Sequence, residues 1–272
     1  MKTLVKVIGL IMLVIADSSI AHDCTNTRKV LSWNIKDLGQ SKDTHEMQVI
    51  ASLVADSDVV AIQEVVAGKG GPEAVARLLV LLREQSSDWM AIVSEKTSGE
   101  GTERYAYLWR SERVDRVDSP VSGLSTELSD GVDREPYVQT FWIGQQRTTL
   151  VNFHAVPTKK EPAHEIVQLK QLPALTSDAP VLVMGDFNLG YEDEAFEPIR
   201  RVGLRSHIRG KTALKMARKD GEHLTHPYDN VFSEHVSICT SGILDFSERY
   251  PTLKAARAIS DHLPVWVTIA SN

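Results

Sequence analysis

Seven short segments of this chain set a side chain able to bind metal or phosphate at the end of an apolar run. They are Trp33-Asn34, Gln63-Glu64, Glu103-Arg104-Tyr105, His154, Gly185-Asp186-Phe187-Asn188, Tyr228-Asp229 and Ser260-Asp261-His262. Asn34, Glu64, Asp186, Asn188 and Asp261 offer oxygen, the donor that Mg²⁺ and Mn²⁺ prefer. No cysteine accompanies them, and Cys24 and Cys239 lack the spacing of a zinc site. His154 and His262 add two imidazoles, with Glu103 and Asp229 available to orient them and raise their pKa. One such pair can activate water while the other protonates a departing oxygen. The set suits metal-assisted phosphodiester chemistry.

Each residue also has a plainer reading. An Asn or Asp after a strand usually begins a turn, and Asn34 alone favours that. Glu64 is harder to dismiss. A carboxylate closing Val59-Val60-Ala61-Ile62 is costly to bury unless it is paired or metal-bound. Asp186 and Asn188 follow Val181 to Gly185, and Gly185 lets backbone approach closely. A lone histidine at a strand end is more often structural, but two of them with spare carboxylates are a different matter.

The elements that must position these residues follow from periodicity. Lys29 to Trp33, Asp58 to Gln63, Trp89 to Ser94 and Tyr105 to Trp109 read as strands. So do Tyr137 to Ile143, Thr148 to His154, Pro180 to Met184, Tyr228 to Phe232 and His262 to Ile269. Gly144 to Arg147 joins two of them as a hairpin. Met47, Ile50, Ala51 and Val54 have helical spacing, and Pro72 opens a second helix running to about Gln85. Pro162 opens a third helix carrying Ile166 and Leu169, and Asp193 to Arg201 reads as helical. Thr97 to Thr102 reads as a loop and Arg116 to Arg134 as a turn-rich surface excursion. Hairpins mixed with helical connections predict helices packed outside a two-sheet core.

The 272 residues, 42% hydrophobic and 24% charged, fit an ordinary globular chain with no linker or repeat. Lys2 and Lys6, the apolar run Val7 to Ala16, and Ser19-Ile20-Ala21 have the form of an export leader over residues 1–21. That run is too short to span a bilayer comfortably. A secreted or periplasmic protein is expected, as one domain over residues 22–272. There Cys24 and Cys239 can cross-link, or remain two thiols. A net charge of -6 excludes polyanion binding through the global field, so cations and a local basic patch would be needed. Arg200, Arg201, Arg205, Arg209, Lys211, Lys215, Arg218 and Lys219 crowd one stretch, as a phosphate grip or a solvated face.

Trp33-Asn34-Ile35, Ile62-Gln63-Glu64-Val65, His154, Gly185-Asp186-Phe187-Asn188 and Ser260-Asp261-His262-Leu263-Pro264-Val265 together resemble the endonuclease/exonuclease/phosphatase superfamily. The match runs over nearly all of the mature chain. Glu103 to Arg110, Arg134-Glu135-Pro136 and Ala258 to His262 resemble its deoxyribonuclease I-like members. The resemblance implies an α+β fold, a four-layer αββα sandwich of two mixed, mostly antiparallel sheets flanked by helices. It implies that His154 with Glu103, and His262 with Asp229, are catalytic acid/base pairs. Asn34, Glu64 and Asp261 would hold the divalent ion, Mg²⁺ with Mn²⁺ as a substitute. Asp186 and Asn188 would hold a second ion or the scissile phosphate. Arg134 and Tyr228 would contact substrate, with Arg205 and Arg209 as further candidates. The reaction implied is hydrolysis of DNA with little sequence specificity, leaving 5′-phosphates. Whether Ca²⁺ assists stays open.

Two positions depart from that pattern. Val66 and Gly101 stand where such enzymes carry an Arg and a minor-groove Tyr, so a weaker or altered duplex grip is expected. A phosphodiesterase or phosphatase of phospholipids or inositol phosphates is the alternative on the same scaffold. A genotoxin-like subunit is a third reading. Nothing in the sequence marks a protein partner surface, and a monomer is expected.

Overall fold

In the computed structural model the described residues are 24–177 and 179–271; the leader expected at residues 1–21 lies outside them. Among the described residues the strands run β1 (Thr27–Leu38), β2 (Val59–Val66), β3 (Trp89–Val93), β4 (Glu103–Arg110), β5 (Val114–Val117), β6 (Gly123–Leu124), β7 (Tyr137–Ile143), β8 (Gln146–His154), β9 (Val181–Asp186), β10 (Arg205–Ser206), β11 (Leu214–Lys219), β12 (Glu222–Leu224), β13 (Asp229–Glu234), β14 (Ile238–Ile243) and β15 (Val265–Ala270). The helices are α1 (Thr44–Val54), α2 (Gly70–Arg83), α3 (Ala163–Ile166), α4 (Leu172–Leu175), α5 (Glu197–Arg201) and α6 (Leu253–Ile259). One sheet has the order β14-β15-β1-β2-β4-β3 and the other β10-β13-β9-β8-β7-β5, with β6 also on β7.

Each large sheet contains one parallel pair, β1 with β2 and β8 with β9. A parallel pair needs a crossover. The first is α1, started by the Asp43/Glu46 capping box; the second contains α3 and α4. All other pairings within these sheets are antiparallel. β7 turns into β8 at Gly144, whose φ of 62° favours glycine.

Strand alternation sorts side chains into three cores. Leu31, Trp33, Val60, Ile62 and Leu108 pack against α1, α2 and α6. Val30, Ala61, Tyr105, Tyr107, Leu150, Met184 and Val231 fill the space between the sheets. Val151, Phe153, Val183 and Phe232 pack against the helical segments that carry Ile166, Leu172 and Ile199. The result is the four-layer αββα sandwich. Full burial of one such side chain is worth roughly 1.5–3 kcal/mol, so these cores supply the main stabilisation.

The segment 116–134 is more ordered than its polarity suggests. β5 and β6 both pair with β7, and Leu128 and Arg134 are buried. The helix opened by Pro162 breaks into α3, a 3-10 stretch over Val167–Gln171, and α4, with Pro173 inside the last. The reading from sequence left out β10, β11, β12, β14 and α6. Cys24 and Cys239 are bonded, with Cα atoms 5.8 Å apart, which ties the first described residue to β14. No helix among the described residues is long and apolar enough to cross a membrane.

Candidate active site

The site is built at one end of both sheets. β1, β2, β8 and β9 deliver residues from or near their C-terminal ends: Asn34, Glu64, His154 and Asp186. β4 and β13 run antiparallel to their neighbours and deliver their first residues, Glu103 and Asp229. Alternation aims them. Asn34 is in phase with Val30, Glu103 with Tyr105 and Tyr107, His154 with Leu150, Asp186 with Leu182 and Met184, and Asp229 with Val231. All those partners lie in the core between the sheets. Across the second sheet His154 pairs with Asp186, and Asp186 with Asp229.

Asp186 is the hub. Its Oδ2 lies 3.5 Å from His154 Nε2, 3.5 Å from His262 Nε2 and 3.1 Å from Asn34 Nδ2. Each imidazole is held from behind. His154 Nδ1 is 2.9 Å from Glu103 Oε2, and His262 Nδ1 is 2.8 Å from Asp229 Oδ2. Burial alone would push the His262 pKa down, but the Asp229 and Asp186 carboxylates outweigh it and hold it well above the ordinary value. Burial opposes the charge on His154 too; Glu103 raises its pKa, while the Arg134 guanidinium partly cancels that, and the net shift is upward. Asp186 is fully buried, which favours its neutral form, yet His262 and His154 hold its pKa below the usual carboxylate range.

Glu64 reaches the site against the alternation. Gln63 is in phase with Ala61 between the sheets, so a regular strand would turn Glu64 toward the helices. The ladders of β2 with β1 and with β4 both shift register here, and Glu64 has φ 58°. Such bulges re-aim a side chain, and left-handed backbone at a non-glycine residue is held by its surroundings. Asn34 Nδ2 donates to Glu64 Oε1 at 2.9 Å, and the Asp37 N–H donates to Oε2 at 3.1 Å. Asn34 Oδ1 is buried and has no hydrogen-bond partner among the described residues. A buried orphan acceptor beside a carboxylate, with only oxygen donors, fits a hard divalent cation.

The loop after β9 is locked on its far side. A side chain at Gly185 is precluded, since a Cβ there would lie 1.8 Å from Phe153 O and φ is 148°. Phe187 is packed against Phe153, Phe196 and Phe232, with ring centroids 5.0–5.7 Å away. Asn188 has φ 50°; its N–H donates to Asp186 Oδ1 and its Nδ2 donates to Ala155 O. Below the site, Gln63 Nε2 donates to Asn152 Oδ1 at 2.6 Å, and Asn152 Nδ2 donates to Ile62 O at 3.0 Å, tying the sheets together. Asn152 escaped notice in sequence; a lone amide inside Leu150 to Phe153 was its signal. Thr212, likewise missed, donates to Asp229 Oδ2 at 2.6 Å.

Several expected residues have different surroundings from those anticipated. Arg134 is buried. It donates to His154 O, to Ala155 O and to Glu103, so it organises one imidazole pair. Asp261, expected on the metal, is paired with Arg257 at 2.8 Å and Lys36 at 3.5 Å. Tyr228 stays at the site, its hydroxyl 3.0 Å from Thr158 Oγ1 and its ring stacked near His262. The basic stretch is divided. Arg205 pairs with Ser233, four residues or roughly 13 Å along β13 from Asp229. Arg209 lies over the Tyr191 ring and donates to Ser206, and Arg200 is paired with Glu197.

The family model described as Endonuclease/Exonuclease/phosphatase family matches residues 31–262. Rabbit (Oryctolagus cuniculus) Deoxyribonuclease-1 is 26% identical over 267 residues, covering 89% of this chain and 92% of the rabbit protein. A Deoxyribonuclease of Thioalkalivibrio sp. (strain K90mix) is 26% identical over 273 residues, covering 90% of this chain and 71% of that one. Among solved structures, D. rerio TDP2 complexed with single strand DNA product superposes with a TM-score of 0.63 at 16% identity, covering 89% of this chain and 98% of the other.

Proposed function

The chain belongs to the Endonuclease/Exonuclease/phosphatase family, and from that premise we propose that it is a divalent-metal-dependent endonuclease that hydrolyses DNA phosphodiester bonds with little sequence specificity. One observation carries the reading: two carboxylate-held imidazoles, one from each sheet, aim Nε2 at the same Asp186 oxygen. A tetrahedral phosphate entering there would meet a proton acceptor on one side and a proton donor on the other. The names of the rabbit and Thioalkalivibrio relatives support DNA as the substrate.

The two halves divide the work. His262, beside two carboxylates, holds its proton more firmly and donates it to the departing 3′ oxygen. His154, whose charge Arg134 opposes, takes the proton of the attacking water. Glu103 and Asp229 fix the tautomer through Nδ1 and stabilise the imidazolium. Asn188 N–H and Nδ2, at the same loop, hold Asp186 and the strand end in register. Attack in line leaves a 5′-phosphate. Asn34 and Glu64 would hold the cation, Mg²⁺ or Mn²⁺, which when bound supplies positive charge to the phosphate oxygens.

We read residues 22–272 as one catalytic unit, exported by the leader 1–21. The Cys24–Cys239 bond supports an oxidising destination. Purified protein incubated with plasmid, linear duplex, single-stranded DNA and RNA, with Mg²⁺ or with chelator, tests the function. Metal-dependent DNA cleavage giving ligatable 5′-phosphates is expected. Release of phosphate from inositol phosphates or phospholipids without DNA cleavage would replace this reading with the lipid one.

A further inference from the structure

We propose, resting on the DNA reading above, that the β11–β12 hairpin is the element that grips the substrate strand, on the His262 side of the site. Its root is part of the catalytic construction. Thr212 holds Asp229, Ala213 bridges to His262, and Leu214 N–H donates to Asp261 O at 2.8 Å. Arg257 donates to Leu214 O, and Leu214 is buried in the helix-side core. From that anchor β11 runs outward, from buried Leu214 to exposed Met216–Lys219. Asp220 and Gly221, with φ 54° and 80°, make the tight two-residue turn that returns the chain.

The basic groups of this arm concentrate on its first strand. Residues 209–219 carry Arg209, Lys211, Lys215, Arg218 and Lys219 and no acid, while the turn and return strand add Asp220 and Glu222. Arg209 and Lys211 are engaged by Tyr191 and Glu222. Lys215, Arg218 and Lys219 have no ion-pair partner among the described residues, which leaves their charges to an outside anion. Met216 is 78% exposed between them, the most exposed large apolar side chain among the described residues. An exposed apolar side chain flanked by cations along one strand fits a strand of nucleic acid, where phosphates alternate with sugar and base faces. Five residues of strand reach about 16 Å, long enough to run beside more than one phosphate.

The opposite side of the site offers no such arm. The Ser98–Gly101 loop is tied down: Glu100 and Gly101 N–H donate to the Asp133 carboxylate, and Ser98 to Glu135. A Cβ at Gly99 would lie 1.8 Å from Asp133 O. Glu95 and Glu100 are exposed there but paired with Arg104 and Lys160, so this rim presents no unpaired run of cations. The substrate this arrangement favours is one strand laid from the scissile phosphate out along the hairpin.

The test uses the full chain in a His154→Ala background, so that DNA is bound and not cut. Fluorescence anisotropy with a labelled single-stranded oligonucleotide compares it with Lys215→Ser/Arg218→Ser/Lys219→Ser. A matched removal of three remote surface charges, Arg83→Ser/Arg147→Ser/Lys170→Ser, is the control, and thermal melting verifies folding in each. The hairpin variant should bind about tenfold more weakly, and its log K against log salt should flatten by about 2, at roughly 0.7 per lost single-strand contact. The remote variant should keep the parent slope. Equal slopes for hairpin and parent overturn the proposal while leaving DNA as the substrate. Absence of any salt-sensitive binding by the parent overturns the DNA reading and the hairpin with it.

Discussion

The His154 and His262 halves of the site share one design and differ in what stands behind the carboxylate. Behind Glu103 is a cation: Arg134 lies 3.2 Å away, both side chains buried. Behind Asp229 is a neutral hydroxyl, Thr212. The rims outside differ as well, with the cations on the other half. Beside His154 the loop is tied down and its glutamates are ion-paired, and beside His262 an arm extends that carries unpaired cations among the described residues. The lesson is that two similar imidazoles, both with raised pKa, acquire unlike electrostatic surroundings from neighbours one shell away.

The difference can be attacked first through stability. Glu103→Gln leaves Arg134 buried without its counter-charge, and breaking such a pair costs about 3–5 kcal/mol. Asp229→Asn takes a counter-charge from His262, but the imidazole can release its proton and keeps Asp186 beside it, so the change should cost clearly less. Chemical denaturation of the two variants checks this, and equal losses would mean that the Arg134 pairing does not distinguish the halves.

pH dependence sharpens it next. His154 must be neutral to accept a proton, so activity falls as pH drops through its pKa. Arg134→Gln removes a cation that lowers that pKa, so the acid limb of kcat/KM should move to higher pH. His262 must be protonated, so activity falls as pH rises through its pKa. Asp229→Asn removes a carboxylate that raises it, so the alkaline limb should move to lower pH. Both limbs moving the same way would reverse or abolish the division of roles. The smallest effect concerns the divided basic stretch. Arg205→Ala should change the salt slope of DNA binding hardly at all, because Arg205 sits far along β13 from the site. A fall as large as one phosphate contact, about 0.7–0.9 in slope, would restore it to the grip.

Much of this was legible in sequence because strand alternation is a local rule. Apolar runs ending in Asn34, His154 and Asp186 announced which residues leave the core at the sheet end. Glu64 was legible as an anomaly, though the bulge that turns it was not, since period two points it the wrong way. The burial of Arg134 was not legible: it closes a polar, turn-rich stretch, and only the tertiary fold encloses it beside Glu103. The hairpin root was hidden because Thr212 and Asp229 are separated by 17 residues and meet only through tertiary pairing. The third helix broke where Pro173 and the 3-10 turns interrupt it, which periodicity alone does not register.

The central claim is that both halves address one phosphate. Single-turnover cleavage of DNA with Mg²⁺ by the parent, His154→Ala, His262→Ala and the double variant tests it most directly. Each single change should cost at least about 100-fold with melting preserved, and the double should be little worse than the weaker single, as for residues acting as a unit. Near-parental cleavage by either single variant would contradict the account.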